Sequence, residues 1–87
     1  MNSTDAFEQV SQFFNPDGSL ILIPVKQDKK IAVLKVIASN LERGVQYPER
    51  DLNGVISNFH SDTAAIRRHT IEFGILDRNK ESLYWLV

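Results

Sequence analysis

The stretch FHSDTAAIRRHTIEFGILDR, residues 59–78, decides how the rest of the chain is read. Ser61 or Asp62 stands where a helix N-cap belongs, because a short oxygen-bearing side chain can accept from one of the first unpaired amides. Ile66, Thr70 and Phe73 follow at helical spacing and so share one face, at about 100° per residue. Gly74 suits the left-handed residue that stops a helix. Ile75-Leu76-Asp77-Arg78 then has strand character, and Leu83-Tyr84-Trp85-Leu86 answers it across residues 79–82. The pattern predicts a helix over about residues 62–73 followed by a β-hairpin.

Upstream, Leu52, Val55, Ile56 and Phe59 form the buried stripe of a helix that starts near Pro48. Proline is tolerated in a first helical turn, and Glu49 and Asp51 are favoured there by the helix dipole. Ile31, Leu34, Ile37, Ala38 and Leu41 make one face of an earlier helix, with Asp28 as candidate cap and Gly44 as its stop. Leu20-Ile21-Leu22-Ile23, closed by Pro24, reads as an edge or terminal strand after the turn Asn15-Pro16-Asp17-Gly18. Phe7, Val10, Phe13 and Phe14 recur at helical spacing, and Asp5 with Glu8 resembles a capping box, which predicts an amphipathic helix over residues 5–14. The order is strand, three helices, hairpin, with a tight turn between the last two helices. The expected fold class is α+β: a winged helix-turn-helix with a three-helix core, a C-terminal β-hairpin wing and an N-terminal amphipathic helix. A single domain spans residues 1–87, divided into a helical extension (1–16) and a core (17–87).

Composition narrows the function classes. The chain has 87 residues, no cysteine and a net charge of −1. Without cysteine there is neither a disulfide nor a thiolate metal site, which fits a reducing cytoplasm. The longest apolar run, from Leu20 to Val25, is too short for a bilayer, and no basic-then-apolar leader opens the chain. Charge is unevenly placed. Asp5, Glu8 and Asp17 stand before any base, whereas all ten Lys and Arg lie between Lys26 and Lys80 against seven acids, a body of net +3. Such a body permits phosphate binding.

A family resemblance enters on the segments DGSLILIPVKQDKKIAVLKVIA, YPERDLNGVISNFHSD, IRRHTIEFGILDR and the pair Tyr84-Trp85. In order and spacing they resemble an uncharacterised prokaryotic domain-of-unknown-function family that stands alone or follows ArsR-type winged-helix regulators. The resemblance spans about residues 13–85. It implies a winged-helix-like domain linked to transcription regulation and no known ligand or reaction. The chain departs from the pattern at Pro48, where a capping Thr or Ser is usual, and at Thr70, where a large apolar residue is usual. It also departs at residues 79–82, which lack the usual Asp-Gly of the wing turn, and at Leu86, where a base is often found.

The helical phase separates the two arginines. Arg68 and Ala64 project almost opposite Ile66 and Phe73, whereas Arg67 lies on the flank, within reach of Glu49 or Asp51. Arg68 is thus the main candidate for a phosphate or base edge, and Arg67 a weaker one. Ser61 and Thr63 flank the helix N-terminus, where backbone amides and the dipole favour phosphate. Lys26 and Lys30, in the densest basic cluster, and Arg78 and Lys80 in the hairpin complete the candidate DNA-binding set. Phe7, Val10 and Phe14 need more burial than a three-helix core offers, which predicts a homodimer with the two-fold symmetry of a palindromic operator. No enzyme is expected. His60 and His69 lie nine apart with no metal-ligand spacing, and the four glycines form no phosphate loop. Tyr47, Tyr84 and Trp85 read as core aromatics with wet polar tips. Neither a metal nor another cofactor is implied, and the expected partners are duplex DNA and a second copy. The alternative is a winged-helix module that binds protein, or itself, without DNA.

Overall fold

In the computed structural model, which describes residues 10–87, three α-helices pack on a small antiparallel sheet, giving an α+β architecture. Helix α1 is Gln27–Ala38, α2 is Glu49–Ile56 and α3 is Thr63–Glu72. The strands are β1 (Tyr47–Pro48), β2 (Leu76–Arg78) and β3 (Leu83–Leu86), in sheet order β1-β3-β2.

The core is where the helical stripes meet the sheet. Leu34 and Ile37 of α1, Leu52 and Ile56 of α2, Ile66 of α3, Leu76 of β2 and Tyr84 of β3 are all buried in one cluster. The stripe residues Val55, Phe59 and Phe73 pack at its margin, half-buried. Val33 is also fully buried in α1, because α1 is enclosed on a wider arc than the stripe through Ile31 implied.

Helix α3 starts as its sequence suggests. Asp62 is the N-cap, its Oδ1 accepting from the Ala65 amide at 3.0 Å, so Asp62 rather than Ser61 does the capping. The Asp62 amide in turn donates to Nδ1 of His60 at 3.0 Å, which fixes the turn between α2 and α3. Gly74 ends the helix at φ +70°. Asp62→Ala is expected to lower stability by about 1 kcal/mol through loss of this cap, measured by urea unfolding.

Helix α1 differs at both ends. Its N-cap is Lys26, with no side-chain cap bond, and Asp28 sits inside the first turn, where it faces the dipole without capping. The helix stops at Ala38, well before Gly44. Ser39 Oγ donates to the Val36 carbonyl and Asn40 Nδ2 to the Ile37 carbonyl at 3.1 Å, so local side chains satisfy the last carbonyls. Gly44 takes φ +81° in the loop that follows. Pro48 is the N-cap of α2 and not a first-turn residue.

Strand β1 was not expected. Tyr47 and Pro48 pair with Tyr84 and Leu83 of β3. Proline is tolerated because β1 is an edge strand. The hairpin is as expected, with Leu76↔Leu86 and Arg78↔Tyr84 in register. Its turn works without Asp-Gly. Asn79 Oδ1 accepts from the amides of Glu81 (3.0 Å) and Leu83 (3.1 Å), and Ser82 takes the left-handed φ of +61° that glycine usually supplies.

One expectation fails towards the N-terminus, and another lies partly outside the described residues. Residues 20–23 form no strand. Leu20 makes an isolated bridge to Phe14, its amide donates to the Phe59 carbonyl (2.7 Å), and the Ile21 amide donates to the Phe13 carbonyl (2.7 Å). The segment is thereby pinned to Phe59, beyond the C-terminal end of α2, and to Phe13, with no strand beside it among the described residues. Of the helix placed over residues 5–14, residues 5–9 lie outside the described residues, and Val10 is helical. Where it is described, Ser11–Phe13 is a short 3-10 turn and Phe14 is extended at φ −116°, ψ 144°. Val10 (0% exposed) and Phe14 (8%) are buried in the same core as Leu34 and Ile66, so the proposed dimer interface cannot use them. Together with Leu20 they complete the core that α1 and α2 contribute through Leu34, Ile37, Leu52 and Ile56. The boundary drawn at residue 16 is not a packing boundary, since both neighbours of the turn belong to one core. Phe7 lies outside the described residues.

Candidate nucleic-acid interface

Helix α3 presents Ala65, Ile66 and Thr70 to the core. Thr70, where an apolar residue was usual, is satisfied inside the helix, its Oγ1 donating to the Arg67 carbonyl at 2.7 Å. With that phase, Arg67 falls on the flank, half-buried, and Arg68 is exposed.

The Arg67 guanidinium is held by α2. Nη1 donates to Asn53 Oδ1 and, more weakly, to Thr63 Oγ1 at 3.4 Å, while Nε lies 3.8 Å from Glu49 Oε1. Glu49 and Asn53 are one helical turn apart, which places both on the face of α2 that meets α3. Asp51, the other carboxylate thought within reach, instead lies 3.8 Å from Arg50 in solvent.

The network continues into the sheet. The Tyr84 hydroxyl donates to Glu49 Oε1 at 2.8 Å, and Arg78 Nη1 donates to the Tyr84 oxygen at 3.4 Å. The ring of Tyr84 is buried in the core, and only its hydroxyl end reaches the polar edge. The hydrogen bond to Tyr84 raises the pKa of the Arg78 guanidinium above its ordinary value. Tyr84 thus joins β2, β3 and α2, and Glu49 joins them to α3.

These groups line one open cleft of about 340 Å³ between α3 and the hairpin, with walls of Glu49, Ala64, Arg67, Arg68, Ile71, Arg78 and Tyr84. Three guanidinium groups face a single carboxylate. Arg67 is occupied by Glu49 and Asn53, and among the described residues Arg68 and Arg78 form no ion pair, although Glu49 attracts Arg78 across the cleft. Such a cleft can hold an anion, with the guanidinium forks as donors.

The other candidates are placed differently. Thr63 serves Arg67, and Ser61 is exposed beside the cap. Lys26 and Lys30 lie at the start of α1, and Lys80 in the hairpin turn; none of the three lines the cleft. Glu72 does not line it either, and lies 3.5 Å from His69 Nδ1. That contact makes no hydrogen bond, so the buried Nδ1 is unsatisfied, and the His69 ring stacks on Phe73 with centroids 6.4 Å apart. Among the described residues no three His, Cys, Asp or Glu side chains gather as metal ligands, and no helix is long and apolar enough to cross a membrane. Sequence reasoning missed Asn53 and Tyr84 as members of this site. Asn53 was legible from its spacing to Glu49, whereas Tyr84 was read only as a core aromatic.

A family model described as "Uncharacterized protein conserved in bacteria (DUF2087)" matches residues 19–86, which is most of the chain and includes every residue of the cleft. No curated protein and no solved structure matches the chain.

Proposed function

The chain belongs to the DUF2087 family of uncharacterised bacterial proteins, and from that premise we propose that it is a winged helix-turn-helix protein of transcription regulation that binds duplex DNA. Three helices followed by a hairpin, with β1 paired to β3, agree with a winged helix in which α3 is the recognition helix and residues 79–82 the wing tip. The observation that carries the reading is the convergence of Arg68 from α3 and Arg78 from β2 on one cleft, with neither held in an ion pair among the described residues. A phosphodiester seated between helix and hairpin meets both, while Arg67 holds the wall in place. Bacterial transcription regulation places the protein in the cytoplasm.

The binding is weak for a single protomer. The whole chain carries a net charge of −1, and Lys26, Lys30 and Lys80 reach DNA only if it extends beyond the cleft. Fluorescence anisotropy with labelled duplex fragments at two salt concentrations tests the reading. Binding is expected at low salt, with a log–log slope of about −0.9 per phosphate neutralised. Glu49→Gln removes the only carboxylate of the cleft and is expected to tighten binding on the order of fivefold at low salt, an advantage that shrinks as salt screens the cleft. Absence of binding at low salt, in wild type and Glu49→Gln alike, refutes it. In that event the protein-interaction reading takes its place, and it has its own support in the exposed aliphatic segment described next.

A further inference from the structure

The segment that failed to become a strand leaves an unusual surface. Ile21 is 53% exposed, Leu22 49% and Val25 92%, three aliphatic side chains within five residues. Single exposed aliphatics are ordinary, but three so close along the chain suit a contact surface. The segment is not a loose loop. The Leu20 amide is bonded to the Phe59 carbonyl, Pro24 is buried, and the Lys26 carbonyl accepts from the Lys30 amide in the first turn of α1. The backbone is therefore held while Ile21, Leu22 and Val25 stand in solvent and Ile23 packs against the core. The amides of Leu22, Ile23 and Val25 donate to no group of the described residues.

The charges at the two ends identify the partner. Asp17 opens the segment and Lys26 closes it, and both are exposed. The Asp17 carboxylate is fixed in the turn before Leu20, with Oδ1 accepting from the Ser19 amide (2.9 Å) and hydroxyl (2.6 Å). Those bonds lower its pKa, so it is ionised at neutral pH. An acid at one end, a base at the other and aliphatics between them form a self-complementary pattern. A two-fold axis between Ile21 and Leu22 leaves Asp17 and Lys26 the same number of residues away on either side. With the two segments paired antiparallel and extended, it sets each acid against the base of the other copy, twice over.

We propose that residues 17–26 form a homophilic contact in which two copies of this chain meet antiparallel across Ile21, Leu22 and Val25, with Asp17 of each copy against Lys26 of the other. An anionic bilayer is the other surface that exposed aliphatics followed by Lys26, Lys29 and Lys30 suit, but Asp17 beside the patch opposes it. The contact differs from the Phe7, Val10 and Phe14 interface, and it does not depend on the DNA reading. Three aliphatics a side make a small interface, so association is weak, with a dissociation constant on the order of tens of micromolar.

Sedimentation equilibrium of the full chain without DNA tests the proposal, because failure of DNA binding leaves this readout untouched. The wild type is expected to dimerise at high micromolar concentration. Val25→Glu is expected to weaken association at least tenfold, with an unchanged melting curve because the side chain it replaces is in solvent. The charge test is sharper. D17K and K26E are each expected to be monomeric, since each places like charges in contact at both ends. An equimolar mixture of the two variants is expected to form a heterodimer, because each end then pairs a base with an acid. Circular dichroism of each variant checks that the turn at Asp17 survives, and Lys26→Glu with Val25→Glu remains decisive if D17K does not fold. A wild type that stays monomeric, whether or not it pellets with phosphatidylserine vesicles, overturns the proposal. So does a Val25→Glu variant that dimerises as the wild type does, or a mixture that stays monomeric while both of its components are folded.

Discussion

Alanine at Arg68 is expected to weaken duplex DNA binding at low salt by about 10- to 100-fold while moving the melting temperature by less than about 4 °C. A guanidinium fork on a phosphate or guanine contributes about 1–3 kcal/mol. Arg68 makes no hydrogen bond or ion pair within the described residues and is exposed, so folding does not depend on it. A surface side chain of that kind changes stability by about 0.5 kcal/mol or less, which for a domain of this size is at most a few degrees. Arg67→Ala is expected to behave in the opposite way. It leaves the part-buried Asn53 Oδ1 without its donor and removes the cation beside Glu49, a loss of about 1–3 kcal/mol. The Glu49 share of that loss is small, because its side chain is 41% exposed and water screens the pair. Anisotropy titrations and melting curves of both variants make the comparison. Equal losses of binding in both would remove the distinction between a contacting and a positioning arginine. A large stability loss in Arg68→Ala would contradict the helical phase on which the site is built.

At Tyr84 the expected effect is on folding. Tyr84→Ala is expected to cost about 3–5 kcal/mol, as for other large aromatics cut from a core, because the ring is only 2% exposed and packs where β3 meets the helices. Tyr84→Phe keeps the ring and removes the hydroxyl that donates to Glu49 and accepts from Arg78, for a loss of about 1–2 kcal/mol. Small domains are held by about 5–15 kcal/mol in total, so the alanine variant should unfold at much lower urea while the phenylalanine variant shifts modestly. If the two variants unfold at the same urea concentration, the hydroxyl network and not ring packing is what holds the hairpin to the helices. If Tyr84→Phe does not shift at all, Glu49 is satisfied by water and the link between hairpin and α2 is not structural. Tyr84→Phe also releases Glu49 and Arg78 from their shared partner, so its DNA titration reports whether their placement matters to the cleft.

The sequence by itself determined the parts of this protein that depend on local periodicity. The three helices, a cap at Ser61 or Asp62, the glycine stop at Gly74 and the hairpin follow from apolar spacing, capping chemistry and strand alternation, all of which act within a few residues. The separation of Arg67 from Arg68 was legible for the same reason, because adjacent positions on a helix point about 100° apart. What acts across the chain was not legible. Strand β1 exists only because β3 lies beside it; two residues ending in proline carry no strand signal of their own. The aliphatic run at residues 20–23 has strand composition, but among the described residues no strand lies beside it, so it is bonded instead to Phe13 and Phe59 and leaves Ile21 and Leu22 in solvent. Val10 and Phe14 looked like a surplus apolar stripe because a stripe does not reveal whether the core will receive it. Only the tertiary structure brought Arg78 and Tyr84 of the hairpin to Glu49 and Arg67 of two different helices. Hydrogen bonds between residues 35 positions apart are set by how the elements pack, and no local pattern in the chain encodes them.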